Sequence, residues 1–186
     1  MKYKTVKWSS FNRIYDSLSV PPKGTILEIG VAGGGGLERL SNTYPDHTVV
    51  GIDADPSCKN APYTVRIGSQ ASPRFLSSVI KEFAPFSLII DDGGHRPHQH
   101  LISFFKLWPH LLPYGNYIIE DIHTCRSARW SLIPGGAMWI LLPMLFNKVP
   151  ITLEPNIMCI RKEKCSYVYE TINGEIDCRY AKAKEK

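Results

Sequence analysis

Short apolar runs alternate along the chain with longer segments whose apolar side chains recur at helical spacing. The five apolar runs are residues 25–29, 47–52, 63–67, 86–90 and 116–119. The predicted helices between them are residues 36–42, 72–83 and 97–111. Strands that are apolar throughout are typical of a parallel sheet covered on both faces. The pattern therefore predicts an α/β fold of the Rossmann-like, three-layer type.

The two ends of the chain carry further predicted elements. Apolar side chains from Trp8 to Leu18 fall at helical spacing, so we expect residues 1–20 to form an amphipathic helix on the edge of the sheet. Residues 112–115 predict a turn before the last of the five strands. The closing strands predicted near the C-terminus are residues 151–160 and 166–171.

The length and composition are those of a single globular domain, which we expect to span residues 1–186. Within it, residues 125–148 predict an irregular or helical insert, for which core packing, an acceptor lid and a dimer face are alternative explanations. No apolar run reaches the roughly 18 residues that spanning a bilayer requires, and residues 1–12 lack the apolar core of a secretion signal. We therefore expect no membrane partner, and a homo-oligomer stays an open alternative.

Cysteine usage and charge exclude further classes of protein. The five cysteines are scattered and form no CxxC pair, which argues against a zinc site or a disulfide framework and fits a reduced, cytoplasmic setting. The net charge of +5 lies partly in the C-terminal tail, where such residues are usually solvated. Because the sequence has no basic stripe with interleaved aromatic residues, nucleic acid is not expected as a partner.

Residues 27–37 lead an apolar strand through a run of glycines into a predicted helix. A backbone without Cβ atoms can approach a ligand closely, which is typical of a nucleotide-binding turn, although four consecutive glycines could also form a slack loop. The spacing is not GxGxxG, which argues against NAD. Glu28 is an acid within an apolar strand, where burial is costly unless the carboxylate has a partner. It suits the cationic methionyl group of S-adenosylmethionine better than a pyrophosphate.

Two further features of this half of the chain fit a nucleoside. Asp53 ends the second apolar run, and a carboxylate at that place can accept hydrogen bonds from both ribose hydroxyls. Residues 67–70 follow the third run and could frame an adenine. A capping turn before the helix at residue 72 explains them equally well.

Two apolar runs each end in a pair of acids, Asp91-Asp92 and Glu120-Asp121. If the two strands are neighbours, these carboxylates converge, and they repel one another unless a cation lies between them. Hard divalent ions such as Mg²⁺ bind oxygen ligands of this kind. We predict Asp92 and Asp121 as the metal ligands, with Glu120 on the other face of its strand. The alternative is that the acids cap helices or hold the backbone without a metal.

His95 lies three residues after Asp92, beyond two glycines, and is within reach of anything bound at the predicted metal site. An imidazole that titrates near neutral pH suits a general base, although a histidine in a loop is often structural. His123 is a second candidate, as a ligand or substrate contact. The histidines expected at the surface or as helix caps are His98, His100 and His110.

The segments LEIGVAGGGGL, GIDADP, IIDDGGH and IIEDIHT together resemble the macrocin O-methyltransferase-like sugar methyltransferases of class I, over about residues 24–125. The resemblance implies a mostly parallel seven-stranded sheet with an antiparallel C-terminal strand, S-adenosylmethionine as cofactor, and Mg²⁺. It also implies Asp92 and Asp121 as metal ligands and His95 as the base. The cofactor contacts that we predict on this basis are Glu28, Gly30, Gly34, Asp53, Gln70 and Asp91.

The chain also departs from the pattern of that family. Ser69 stands where relatives usually carry an acid before the glutamine, and relatives often have an additional N-terminal domain or a long lid. The function predicted is Mg²⁺-assisted O-methylation of a hydroxyl on a sugar or another small-molecule natural product. The alternatives are a non-catalytic protein that binds S-adenosylmethionine or S-adenosylhomocysteine, and a nucleic-acid methyltransferase, which the basic tail motivates.

Overall fold

The structure is a computed structural model that describes residues 9–122, 151–154, 157–163, 170–172 and 175–177. The predicted insert at 125–148 and His123 therefore lie outside the described residues. No helix within the described ranges is both long enough and apolar enough to cross a membrane.

Most of the strands belong to one mixed sheet. They are β1 (Thr25–Ile29), β2 (Thr48–Asp53), β3 (Thr64–Ile67), β4 (Phe86–Asp91), β5 (Leu111–Glu120), β6 (Ile151–Glu154) and β7 (Ile157–Arg161). Their order across the sheet is β3-β2-β1-β4-β5-β7-β6. The first five run parallel to one another, and β7 runs antiparallel to both β5 and β6. The predicted seven-stranded, mostly parallel sheet with an antiparallel C-terminal strand is confirmed.

Helices cover both faces of the sheet, as the apolar strands require. They are α1 (Ser9–Asp16), α2 (Gly35–Thr43), α3 (Pro73–Phe83) and α4 (Pro97–Leu107), with short 3₁₀ helices at Pro56–Asn60 and Trp108–His110. On one face, α3 and α4 pack Leu76, Val79 and Phe104 against the sheet. On the other, α1 and α2 supply Phe11 and Leu40. Each large apolar side chain buried in this way contributes roughly 1.5–3 kcal/mol to stability.

The start of α3 shows how local sequence sets an element boundary. The Ser72 hydroxyl accepts a hydrogen bond from the Phe75 amide at 3.3 Å, and Pro73 occupies the first turn. A serine cap satisfies an amide that has no partner within the helix, and proline at this place loses no hydrogen bond. The Ser72 amide donates to the Ser69 carbonyl at 2.9 Å, so a turn leads into the helix as the capping alternative predicts, while the framing of an adenine by residues 67–70 stays a prediction.

Helix α1 lies across a face of the sheet, so the prediction that it packs on the edge was wrong. Phe11 and Ile14 are buried against Ile26, Leu88 and Ile118, which come from strands in the middle of the sheet. The reason is that every second side chain of these strands points to that face. A large apolar surface is therefore available there, and an edge would offer much less.

The C-terminal strands also differ from the prediction. Residues 151–160 form not one strand but the hairpin of β6 and β7, in which Ile151 pairs with Ile160. The sequence between the two strands is Pro155-Asn156, a pair that favours a turn and interrupts a ladder of hydrogen bonds. Of the predicted strand at 166–171, the described part belongs to β8 (Glu170–Ile172), which pairs with β9 (Glu175–Asp177) in a separate small sheet.

The turn predicted at residues 112–115 lies within β5. The pairing of β5 with β4 is irregular there, because Phe86 pairs with Leu111 whereas Leu88 pairs with Asn116. Tyr114 has a φ of 64°, and its amide donates to the Lys162 carbonyl at 2.6 Å. The segment bends as its composition predicts, but it remains hydrogen-bonded to the residue that follows β7.

Candidate active site

The carboxyl ends of the four central parallel strands meet at one edge of the sheet. Ile29 at the end of β1 pairs with Ile52 of β2 on one side and with Asp91 of β4 on the other. Asp91 in turn pairs with Ile119 of β5. The glycine turn, Asp53 and both pairs of acids consequently lie along this edge, where open α/β sheets bind ligands.

The Glu28 side chain, from β1, lies next to the glycine turn where α2 begins. Its side chain is buried, and it points to the same face as Ile26, towards α2. A Cβ on Gly36 would overlap the Glu28 carboxylate, so only glycine allows the first turn of α2 to lie this close to the acid. Gly30 and Gly34, with φ values of 89° and 82°, adopt the left-handed conformations that the turn needs.

Asp53 holds the same turn from the side of β2. Its Oδ2 accepts hydrogen bonds from the Val31 amide at 2.7 Å and the Ala32 amide at 3.1 Å, and its Oδ1 accepts from the Asp55 amide at 2.8 Å. Burial alone would raise the pKa of Asp53, but the hydrogen bonds from these amides outweigh it and hold the pKa below its usual value. The carboxylate is therefore ionised at neutral pH and fixes the turn.

Asp92, His95 and Asp121 form the compact polar cluster at the other end of this edge. Each offers one ligand atom, and these three atoms lie within 4.8 Å of one another. The His95 Nε2 is 3.9 Å from both the Asp92 Oδ1 and the Asp121 Oδ2. Two carboxylates and an imidazole at this spacing can hold one divalent ion, with the oxygens as the ligands that Mg²⁺ prefers.

Two members of this cluster have strained backbones. His95 and Asp121 both have a φ of 52°, a left-handed conformation that costs a residue with a side chain about 1–3 kcal/mol. Strain of this kind persists only where the surrounding structure fixes it, and it clusters at functional sites. These left-handed conformations bring the His95 and Asp121 side chains together, although the two residues follow different strands.

The imidazole of His95 is partly buried, and this decides its charge. Burial lowers its pKa, the Asp92 carboxylate raises it, and His100 lowers it, with the net result that the pKa lies below the ordinary value of 6.5. His95 is therefore neutral at neutral pH. A neutral imidazole can accept a proton, as the predicted general base must.

Asp91, the inner acid of β4, lies beneath the cluster on the α4 face and has no exposed surface. Its Oδ2 is 2.5 Å from the Ser103 hydroxyl, 3.2 Å from the Tyr117 hydroxyl and 3.2 Å from the His100 Nδ1. The Gln70 amide donates to its Oδ1 at 2.9 Å. Burial would raise the pKa of Asp91, but these neighbours, with the charge of His100 foremost, keep it below its usual value.

Sequence reasoning missed His100 and Ser103. His100 was expected at the surface or as a cap, and this was wrong, because only 1% of it is exposed. The signal was present: His100 and Ser103 are spaced three apart and share the buried face of α4 with Leu107. Polar residues on an apolar helical stripe indicate a buried polar partner, which here is Asp91.

Glu120, the inner acid of β5, points to the opposite face, as the alternation along its strand predicts. It is buried, and it accepts a hydrogen bond from the Tyr15 hydroxyl of α1. Burial and the charge of Glu120 raise the pKa of Tyr15 well above its usual value, so the hydroxyl keeps the proton that it donates. Tyr15 was predicted only as part of an apolar stripe.

Gln70 was predicted to contact the cofactor, together with Asp91. Both side chains are buried. The Gln70 Nε2 donates a hydrogen bond to Asp91, and the Gln70 Oε1 accepts one from the backbone amide of Gly94 at 2.7 Å. A direct contact of either residue with the cofactor stays a prediction. Ser69, next to Gln70, is exposed and bonds through its hydroxyl to the Ala71 amide.

The fold and the arrangement of this edge define a Rossmann-like α/β domain, with the fold that methyltransferases have. The structure is similar to that of the MycE methyltransferase of mycinamycin biosynthesis, solved with Mg, SAH and mycinamycin VI. The TM-score is 0.73, the identity is 23%, and the match covers 87% of this chain and 50% of that one. This likeness establishes the fold.

Relatives in sequence define the family more closely. The demethylmacrocin O-methyltransferase of Streptomyces fradiae is 30% identical over 138 residues, which are 66% of this chain and 35% of the relative. The mycinamicin VI 2''-O-methyltransferase of Micromonospora griseorubida is 33% identical over 121 residues, 60% of this chain and 30% of the relative. No protein-family model matches the chain.

The chain is thus a relative of the macrocin O-methyltransferase-like sugar methyltransferases, and the resemblance stated from its motifs is confirmed. It spans about a third of the length of the curated relatives that it matches, at 35% and 30%.

Proposed function

We propose that this protein transfers a methyl group from S-adenosylmethionine to a hydroxyl of a sugar or another small-molecule natural product, with Mg²⁺ at the site. The observation that carries the proposal is the convergence of Asp92, His95 and Asp121 within 4.8 Å, on the same sheet edge as a glycine turn that Asp53 holds and that Glu28 faces. The glycine turn with its two acids suits a cationic nucleoside, and the cluster of Asp92, His95 and Asp121 suits a hydroxyl held by a metal.

The cofactor would lie at the ends of β1 and β2. S-adenosylmethionine supplies a methyl group activated by its positive sulfur. Glu28 and Asp53 provide the negative charge that favours such a cation, while Gly30 and Gly34 keep the turn low enough for close approach. Asp53, with its oxygens fixed by three backbone amides, offers the remaining lone pair of Oδ1 to a ribose hydroxyl.

The metal would lie between Asp92 and Asp121. When bound, Mg²⁺ would supply a Lewis acid that lowers the pKa of a neighbouring hydroxyl. His95 would accept a hydroxyl proton on Nε2, the atom that faces both carboxylates. Because Mg²⁺ prefers oxygen to nitrogen, His95 serves as the base and the two aspartates serve as ligands.

The acceptor class comes from the relatives. Proteins similar in sequence are named for O-methylation of mycinamicin VI and of rhamnosyl tetracenomycin-C compounds. We propose that this chain carries its cofactor and metal residues within one domain, since the described site residues lie on a single sheet. For residues 125–148, core packing, an acceptor lid and a dimer face stay the alternative predictions.

The proposal is tested by binding and by turnover. Isothermal titration calorimetry with S-adenosylhomocysteine measures the cofactor site, and mass spectrometry measures methyl transfer to a panel of glycosylated natural products with and without a chelator. We expect cofactor binding, and transfer that stops when the metal is removed. A chain that binds the nucleoside but methylates no hydroxyl would be a non-catalytic binding protein, and one that does not bind it would overturn the proposal.

A further inference from the structure

A buried polar cluster lies directly beneath the turn that carries Asp92 and His95. It consists of Gln70, Asp91, His100, Ser103 and Tyr117, and we call it the sub-site cluster. Four elements contribute to it: the loop after β3, the end of β4, helix α4 and strand β5. Four polar side chains around one buried carboxylate form a costly arrangement that persists only when every group is satisfied.

Gln70 is the member that connects this cluster to the turn above. Its Nε2 donates to the Asp91 Oδ1 at 2.9 Å, and its Oε1 accepts from the Gly94 amide at 2.7 Å. A Cβ on Gly93 would overlap the Gln70 Oε1, so the glycine lets the turn settle onto the glutamine. One side chain thus ties the last residue of β4 to the residue immediately before His95.

His100 supports the same turn from α4. Its ring centroid lies 6.1 Å from that of His95, and its Nδ1 is 3.2 Å from the Asp91 Oδ2. The strained φ of 52° at His95 requires support of this kind, because nothing in the residue's own preference holds it there. Asp91 is therefore tied to the turn through Gln70, and it also contacts His100, whose ring lies beside that of His95.

We propose that Gln70 is a positioning residue, which ties buried Asp91 to the Gly93–His95 turn and so holds His95 and Asp92 in place towards Asp121. The inference rests on the proposed function for its catalytic consequence. It differs from the sequence prediction that Gln70 contacts the cofactor, since Gln70 acts here through the turn. Misplacing a catalytic group by about 1 Å can lower the rate roughly 100-fold. Loss of the two Gln70 hydrogen bonds can therefore have a large effect on the rate.

The test compares Gln70→Met, which keeps the length of the side chain and removes both hydrogen bonds, with the wild-type chain. We expect kcat to fall by about 10- to 100-fold, while the Kd for S-adenosylhomocysteine, measured by calorimetry, changes less than about twofold. Affinity for Mn²⁺, measured by electron paramagnetic resonance, should weaken by about 10-fold. A direct cofactor contact would show the reverse pattern, with weaker nucleoside binding and unchanged Mn²⁺ affinity, and would overturn the proposal.

A spectroscopic readout makes the test independent of turnover. The imidazole resonance of His95, assigned by its disappearance in His95→Ala, should shift or broaden in Gln70→Met, whereas that of exposed His98 should not move. If the wild-type chain transfers no methyl group, the proposed function fails and this resonance still reports on the tie. An unchanged His95 resonance in a folded Gln70→Met chain contradicts the positioning role.

A second pair of variants guards against misfolding. Ser103 and Ser77 are both helical serines whose hydroxyls lie 2.9 Å from a carbonyl four residues earlier, but only Ser103 also contacts Asp91. Ser103→Ala should perturb the His95 resonance and lower kcat in the same direction as Gln70→Met, by a smaller factor. Ser77→Ala should do neither, and equal effects of the two serine variants would count against the proposal.

Discussion

The ends of β4 and β5 look alike in sequence and differ in structure. Each is an apolar strand that ends in two acids, and in each the outer acid, Asp92 or Asp121, reaches the same cluster. The inner acids point to opposite faces of the sheet. Asp91 is surrounded by polar groups on the α4 face, whereas Glu120 accepts a hydrogen bond from Tyr15 on the α1 face.

The difference teaches that one pattern serves two tasks. At β4, the inner acid supports a glycine-containing turn that carries His95, so this strand end carries both the proposed ligand Asp92 and the proposed base. At β5, the inner acid joins α1 to the sheet, and this strand end carries only the proposed ligand Asp121. Substitutions around Asp91 should therefore alter catalysis, whereas substitutions around Glu120 should mainly alter stability.

The largest effect should come from the residue that only β4 provides. His95→Ala should reduce kcat by about 10²–10⁴-fold, the usual contribution of a general base, with unchanged affinity for S-adenosylhomocysteine. Steady-state kinetics and calorimetry measure both quantities. His98→Ala, which removes an exposed imidazole from the same segment, is the control and should behave as wild type. Full activity of His95→Ala would remove the proposed base.

The outer acids should be equivalent. Asp92→Asn and Asp121→Asn each remove a charged oxygen ligand, so each should weaken Mn²⁺ binding by at least about 10- to 100-fold and abolish most of the activity. Mn²⁺ titrations of the two variants check this. If one variant binds Mn²⁺ as the wild type does, the two strand ends do not share an ion.

The inner acid of β5 should matter for stability more than for rate. Tyr15→Phe removes the hydrogen bond to Glu120 and should lower the free energy of unfolding by about 1.5–3 kcal/mol, the range for bonds to charged groups. Denaturant unfolding measures this, with Tyr114→Phe at an exposed position as the matched control. A large loss of kcat without loss of stability would reverse the roles assigned to the two faces.

The smallest effect should be that of pH above neutrality. Burial keeps the pKa of His95 below 6.5, so the imidazole is already unprotonated at pH 7 and further deprotonation adds nothing. We therefore expect protonation of His95 to lower kcat only as the pH falls below about 6.5. His98→Ala should show the same fall of kcat at acid pH. A pH-rate profile whose acid limb has its midpoint above pH 7 would show that His95 is charged in the resting site.

Sequence patterns predicted the parts of this molecule that depend on local chemistry. Apolar runs specified the strands, and acids at the ends of two runs indicated that Asp92 and Asp121 would meet. Alternation along the strand predicted that Glu120 lies on the other face, but patterns could not reveal which partner each inner acid would meet. His100 approaches Asp91 only after α4 has packed on the sheet, and Tyr15 meets Glu120 across more than a hundred residues of chain.

The same limit explains the errors at the periphery of the fold. Helix α1 was assigned to an edge, because its apolar stripe carries no information about which surface of the sheet remains uncovered. The hairpin of β6 and β7 was predicted as a single strand, although Pro155-Asn156 in the sequence is a recognisable turn signal. The first error could be corrected only by tertiary packing, and the second by closer attention to proline.

The central claim is that the ends of β1, β2, β4 and β5 form one site for a sulfonium nucleoside and a divalent ion. A crystal structure with S-adenosylhomocysteine and Mn²⁺ tests it most directly, with the manganese located in an anomalous difference map. We predict one manganese peak between Asp92 and Asp121, with the nucleoside over Glu28 and Asp53. Manganese bound elsewhere, or a nucleoside absent from that edge at saturating concentration, would contradict the claim.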